Sequence, residues 1–414
     1  MCPAFWRICP MMRPVTTVVA VNRVLFLKVM IMNRVADMNV LLNAFDQCRR
    51  GSDWKASTQR YEANVMLKTL EIKQSIEGGT YHPSKCKEFI LSERGKVRPV
   101  KAPVIEDRVV AKAHNQQILL PEIRRRIIYD NGASIQDRGN DFARRRFETH
   151  IHKHYRERVE KGLKPYNGGY ALFSDFTKFF DNVPHEGLKL QFHEFTDSLE
   201  ENALTDLLID GFAPDVSYMD DEEYALAMSV PYNSLEHMNY QGPGEKLLHK
   251  SLNIGAETSQ SGGVYYPHII DNYFKIVRGE KYYGRYMDDI NNINDDKERL
   301  IQNRDDLERI ASREGLFINK RKTQIVPLNR PFVWLKVKYR LTESGRLYRL
   351  LHHDTIVRER VRIKKHAALV SAGIMQREEA VHHYRSWRGN AVHYDNYRSI
   401  GELDKLFKTL IGGF

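Results

Sequence analysis

The sequence predicts an α+β fold in which short strands carry carboxylates at their ends, and three observations predict it. After Gly169 a compact apolar run, Tyr170–Phe173, stops at Ser174 and Asp175, as a buried strand does. Further on, the runs Lys281–Tyr286 and Ile290–Ile293 flank a turn-prone Asp288–Asp289 pair, the pattern of a hairpin with acids at its tip. A segment of alternating charge at about 295–314 then reads as a helix, followed by strand-like segments near Leu316–Ile318 and Phe332–Leu341.

The remaining elements follow in chain order. The first 35 residues include an apolar stretch, Val15–Met32, broken by Asn22, Arg23 and Lys28. Such a stretch crosses a bilayer only at high cost, and without a small-residue cleavage site it does not read as a signal peptide. An over-extended start or a loose tail is the expectation. From Asp53 a helix is predicted, with Ala63, Met66, Leu67 and Leu70 as its packing face and Gly78–Gly79 as its stop. Pro184 suits the first turn of a helix after the strand at 170, while 195–250 reads as an insertion or helical excursion.

At 414 residues the chain suits two or three packed subdomains, and 42% hydrophobic with 28% charged residues is the composition of a globular protein. A formal charge of +11 points to a polyanionic partner, because Lys and Arg that neutralise phosphates release condensed counterions. The charge is concentrated: residues 331–414 hold 16 Lys and Arg against 8 Asp and Glu, which marks this part as a backbone-gripping surface. Cys2, Cys9, Cys48 and Cys86 form no C-x-x-C pair, which argues against a disulfide framework or a cysteine zinc site and for a reducing cytoplasm.

The chemistry rests on three carboxylates. Phosphoryl transfer between nucleotides needs two divalent cations about 3.5–4 Å apart, and hard oxygen ligands carried on separate rigid strands supply that need. Asp175 and Asp288 are the expected metal ligands, with Asp289 in support. Tyr-Met-Asp-Asp occurs twice, at 286–289 and at 218–221. The copy at 218–221 runs into Glu222, Glu223 and Tyr224 with no flanking strands, so it is read as a solvated acidic helix start.

The segment Phe173-Ser-Asp-Phe-Thr-Lys-Phe-Phe-Asp-Asn-Val-Pro-His185 resembles motif A of the reverse transcriptases. The copy at 286–289 stands where their motif C belongs, and Gly315–Thr323 is similar to motif D. Val333-Trp-Leu-Lys-Val337 resembles the primer grip, and Lys96-Val-Arg-Pro-Val100 the dNTP-contacting strand of the fingers. Ile254-Gly-Ala-Glu-Thr-Ser-Gln260 corresponds to motif B in the form found in diversity-generating retroelement enzymes, among the bacterial and phage reverse transcriptases.

The resemblance implies a right-hand polymerase with fingers, an antiparallel ferredoxin-like palm and a helical thumb. Its expected divisions are an N-terminal extension at 1–75, fingers at 76–170, a palm at 171–330 and a primer grip with thumb at 331–414. It implies RNA-directed DNA synthesis from dNTPs with two Mg2+ ions, or Mn2+ in their place, on a template RNA and a primer or cDNA end. An accessory protein is a further expected partner, and no membrane is.

The residue roles it implies are specific. Asp175, Asp288 and Asp289 would be catalytic. Lys96, Arg98, Ile254, Gly255, Gln260 and Lys322 would bind the dNTP, Phe180 would exclude a ribose 2′-hydroxyl, and Gly255 would let the backbone approach the template-primer stack. Trp334 and Leu335 would form the primer grip, and Arg358, Arg362 and Lys365 a nucleic-acid face of the thumb. Ile254 in place of the glutamine of retroviral and group II intron enzymes predicts loose base selection. Two biological roles fit, a diversity-generating retroelement or phage defence with a dedicated non-coding RNA. A non-catalytic RNA-binding relic is the third reading. The polar run Ile290-Asn-Asn-Ile-Asn294 departs from the apolar strand usual in this family and leaves the second hairpin strand open.

Overall fold

The computed structural model describes residues 33–413 apart from 94, 165–167, 238, 239 and 241. The expectation for the first 35 residues therefore lies almost wholly outside the described residues. The chain divides into two units that are both discontinuous in sequence: one takes residues up to 125 with 185–217 and 234–261, the other 126–184, 218–233 and 262–414.

In the first unit the described chain is core from its outset. Val35, Ala36, Leu41 and Ala44 are fully buried, and Arg34 grips the buried Glu201 through two side-chain hydrogen bonds of 2.9 and 2.7 Å. The helix predicted from Asp53 is two helices, Ala56–Ala63 and Val65–Glu77, ending at Gly78 as expected. Its packing face is corrected: Met66, Leu67 and Leu70 are exposed, whereas Thr69, Ile72 and Ile76 are buried. The apolar count at 63–70 followed the wrong stripe because the break at Asn64 resets the helical phase. Strands β1 (Lys87–Glu93) and β2 (Lys96–Ala102) form an antiparallel hairpin.

His114 lies wholly buried in this unit, with Nε2 2.7 Å from Thr205 Oγ1. Burial, aided by the Arg34 charge, pushes its pKa down from 6.5 to about 4. The folded state thus refuses a proton that the unfolded chain accepts, so stability is full above the unfolded value and is lost as pH falls from 6.5 toward 4. The size is up to about 3 kcal/mol. Urea midpoints at pH 7 and pH 5 are expected to differ less in His114→Gln than in wild type. Equal differences would refute the assignment.

The second unit holds two sheets. β3 (Tyr170–Ser174), β4 (Tyr282–Tyr286), β5 (Asp289–Asn294) and β6 (Gln324–Pro327) form a four-stranded antiparallel sheet in the order β4-β5-β3-β6. With the helices His268–Asn272 before β4 and Lys297–Arg313 before β6, this is the βαββαβ order of a ferredoxin-like palm. The α+β class and antiparallel palm expected from the sequence are found. The strand expected at Leu316–Ile318 is instead one bridge, Phe176 to Ile318, and the edge strand comes later as β6.

β7 (Phe332–Trp334), β8 (Val337–Leu341) and β9 (Leu347–Leu351) make the second sheet. Helix Asn140–Glu160 joins the two sheets in one core through Phe147, whose ring meets Phe173 at 5.7 Å, Trp334 at 4.6 Å and Tyr339 at 5.5 Å. Helices His353–Ser371, Arg377–Ala391 and Tyr397–Leu410 close around Ile363, Tyr384, Leu403 and Phe407.

Candidate active site at the palm

β3 ends in Ser174, and the register that pairs Ser174 with Ile290 carries Asp175 toward the beginning of β5. Between β4 and β5 the chain turns through Met287 and Asp288, with Met287 in the left-handed region at φ 52°. A two-residue turn of this hand matches the twist of its strands and holds Asp288 at the tip. Burial, with the charges of Asp289 and Asp175, pushes the Asp288 pKa up to about 7. Three acids thus crowd at one end of the sheet. The described cation that reaches all three is Lys322, in direct contact with Asp175 Oδ2. Burial alone would lower the Lys322 pKa, but contact with Asp175 outweighs it and holds it above the ordinary value.

The segment after helix Lys297–Arg313 is fastened to the same strand end. Asn319 N donates to Asp175 O at 2.8 Å, Thr177 N to Phe317 O at 2.7 Å, and Thr323 Oγ1 lies 2.9 Å from Ser174 Oγ. Phe179 is buried and stacks on Phe176 at 5.2 Å. Phe180 is half-buried, T-shaped to Phe179 at 5.5 Å. A Cβ added at Gly263 would stand 3.0 Å from Met287 Sδ and 3.4 Å from the Phe180 ring, so this glycine makes room for both beside the hairpin.

Sequence reasoning missed Arg285. Its side chain is wholly buried, bonds Asp271 through Nε and Nη2 at 2.8–3.0 Å, and donates from Nη1 to Met287 O at 2.8 Å. Burial opposes its charge, but Asp271 overcomes that and raises the pKa. The signal was a lone charge in the strand Tyr-Tyr-Gly-Arg-Tyr. The polar run in β5 also has its reason. Buried Asn292 donates to Glu280 at 3.2 Å and accepts from Asn303 at 2.9 Å, while Asn294 donates to Glu280 at 3.1 Å. Asn292 and Asn294 can stand in this strand because one network satisfies them.

The other expected site residues are distributed as follows. Trp334 is buried against Phe147, so what this hairpin offers outward is the Leu335–Lys336 turn, left-handed at φ 44° and 64°, with Leu335 O held by Arg144 Nη2 at 2.8 Å. Arg358, Arg362 and Lys365 are exposed, and Arg362 pairs with Glu359 at 2.6 Å. The 218–221 repeat is a helix start, with Asp220 and Glu223 forming a capping box.

Lys96, Arg98, Ile254, Gly255 and Gln260 belong to the first unit. Lys96 and Arg98 lie on β2, and the Lys96 side chain lies outside the described residues. Gly255 has φ 127°, and a Cβ there would meet Lys101 O at 3.1 Å and Val100 Cγ1 at 3.3 Å, so this glycine admits the close approach of β2. Lys101 N donates to Ile254 O at 3.3 Å. Gly255 and Gln260 line a cleft of about 280 Å³ with Arg108 and Lys112. A second cleft, of about 740 Å³, is faced by Arg50, Lys55, Arg60, Lys68, Lys87 and Arg108 against Glu106.

Against this geometry, the model of the family described as "Reverse transcriptase (RNA-dependent DNA polymerase)" matches residues 84–339, more than half of the chain. The chain belongs to the reverse transcriptase family. This family is that of the RNA-directed DNA polymerases, which are nucleotidyltransferases, the enzyme class expected from the sequence. No curated protein matches the chain in sequence.

Among solved structures, this reverse transcriptase chain is similar to the apo telomerase of Candida tropicalis truncated from its C-terminal domain, at 12% identity and TM-score 0.38, over 69% of this chain and 60% of that one. It is also similar to the telomerase of Candida albicans in complex with a TWJ fragment of telomeric RNA, at 11% identity and TM-score 0.41, over 84% and 65%. The matched part is thus under two thirds of each of those chains. Among the described residues no helix is long and apolar enough to cross a membrane.

Proposed function

We propose that the chain is an RNA-directed DNA polymerase that adds dNTPs to a primer or cDNA end on an RNA template, with Asp175, Asp288 and Asp289 as its catalytic carboxylates. The observation that carries this is the meeting of those three acids at one end of the palm sheet. A crowd of carboxylates in which burial and mutual repulsion raise one pKa to about 7 is a donor set that fits divalent cations, Mg2+ or Mn2+. When bound, such ions lower the pKa of the attacking hydroxyl and neutralise charge on the triphosphate.

The chain's own residues divide the remaining work. Asp175 and Asp288 hold the ions and Asp289 supports them. Lys322, already paired with Asp175, is placed to hold a proton near the leaving pyrophosphate. Lys96 and Arg98 bind the triphosphate with fixed donors, and Ile254, Gly255 and Gln260 border the nucleotide. The cleft of six cations is suited to a nucleic-acid backbone, as are Arg358, Arg362 and Lys365. Motif B, Ile254-Gly-Ala-Glu-Thr-Ser-Gln260, favours the diversity-generating retroelement role. A template/variable repeat pair beside the gene supports that role, and a structured RNA gene in its place indicates phage defence.

Primer extension on poly(rA)/oligo(dT), comparing dNTPs with rNTPs in Mg2+ and Mn2+, tests the activity. Incorporation of dNTPs alone is expected, and none in either metal would refute it. Phe180→Ala is expected to raise rNTP use relative to dNTP use on the order of 100-fold, the factor that ~2.7 kcal/mol of steric clash supplies. An unchanged ratio would remove Phe180 from sugar selection.

A further inference from the structure

In the first unit two histidines and an aspartate converge. His185 opens the helix His185–His193, Asp210 ends the helix Leu199–Asp210, and His249 lies on the segment that follows the second unit's 218–233. Their ligand atoms, one from each residue, all lie within 4.8 Å of one another, with each histidine Nδ1 3.8 Å from Asp210 Oδ1.

The ring orientation of His185 is set by its other nitrogen. Nε2 lies 2.7 Å from Ser251 O, and a carbonyl only accepts, so Nε2 carries the hydrogen. In the tautomer with its hydrogen on Nε2, the ring presents the Nδ1 lone pair toward Asp210. His185 is 1% exposed, and its Nδ1 has no hydrogen-bond partner. Two acceptors facing each other at 3.8 Å, one deeply buried, are stabilised by a cation between them. The second-nitrogen bond to a carbonyl is also the arrangement that orients metal-bound imidazoles.

We propose that His185, Asp210 and His249 bind one divalent transition metal of the zinc class. The backbone holds the ligands in place: His185 N donates to His249 O at 3.0 Å, and Leu248 N to Pro214 O at 3.0 Å. A tetrahedral site with ~2.1 Å bonds sets ligand atoms about 3.4 Å apart, a few tenths of an ångström inside the two histidine–aspartate separations of 3.8 Å. Lys189 Nζ lies 2.7 Å from each oxygen of the Asp210 carboxylate, hydrogen-bonded to Oδ2, and would give up its contact with Oδ1 to the ion. Because Lys189 cancels the carboxylate charge, strongly hydrated Mg2+ gains little here, whereas imidazole lone pairs favour zinc. The His249 side chain, 55% exposed, leaves a path for the ion and a position for a water ligand.

The test uses the full chain freed of metal by a chelator and titrated with Zn2+ by calorimetry, alongside His249→Ala and Asp210→Asn. Each variant is expected to bind one equivalent fewer, or to bind that equivalent more than about 100-fold more weakly, beyond the 10–100-fold that outer-shell partners contribute. Zn2+ is also expected to raise the melting temperature of wild type more than that of either variant. No Zn2+ uptake by wild type, or uptake unchanged in both variants, overturns the proposal. Because the readout is binding and not nucleotide incorporation, it stands or falls apart from the polymerase reading.

Discussion

Asp288→Asn is expected to reduce dNTP incorporation by at least about 10³-fold, since in the proposed role of Asp288 one lost metal-ligand charge would remove several kcal/mol of transition-state stabilisation. The replacement keeps the shape of the side chain, so the β4–β5 turn should persist and RNA binding with it. Its effect on stability runs the other way. Wild type keeps three acids together with burial and repulsion acting on Asp288, and the amide removes one of the repelling charges. Without metal the variant should therefore melt no lower than wild type. Incorporation above a tenth of wild type would remove Asp288 from the metal-binding set. A large fall in melting temperature would mean that the lost activity reports unfolding.

The second large effect concerns Arg285. In Arg285→Met the Asp271 carboxylate keeps its Tyr283 hydrogen bond of 2.8 Å but loses its cation inside the core. Stranding a buried charge costs about 3–5 kcal/mol. The loss should appear as a lower urea midpoint, together with reduced incorporation, because Met287 O in the β4–β5 turn loses its donor. Adding Asp271→Leu should recover most of the stability, since two apolar side chains leave no charge unpaired. A double variant as unstable as the single one would show that packing and not charge sets the cost. If the double variant regains stability while incorporation stays low, Arg285 acts on the turn itself.

What could be read from the sequence was local. The β3 run, the hairpin acids, the charged helix and the decoy at 218–221 each announce themselves within ten or twenty residues, through periodicity or flanking turn residues. The misread features depend on partners far along the chain. Met66 and Leu67 are as apolar as Ile72, and only the tertiary packing decides which stripe is covered. β6 forms because β3 offers it an edge, which nothing in Gln324–Pro327 announces. Asn292 looks wrong for a strand until Glu280 and Asn303 are seen beside it. The pairing of His185 with Asp210 and His249 brings together three segments, and no spacing rule covers it. Gly255 announces close backbone approach, but not that β2 is one of its neighbours, because the same φ serves any crowded contact.

The alternation of the chain between its two units sets the order of events during synthesis. β3 is complete at Ser174, yet its neighbour β5 begins at Asp289, so the apolar Leu172 and Phe173 leave the ribosome well before the strands that cover them. At 5–20 residues per second that interval is roughly 6–20 s. Neither unit can be expressed as an uninterrupted fragment, since each borrows segments lying inside the span of the other. Trimming this polypeptide by domain would therefore demand rejoined or permuted pieces, and chaperones that shield nascent strands should govern its yield in a heterologous host.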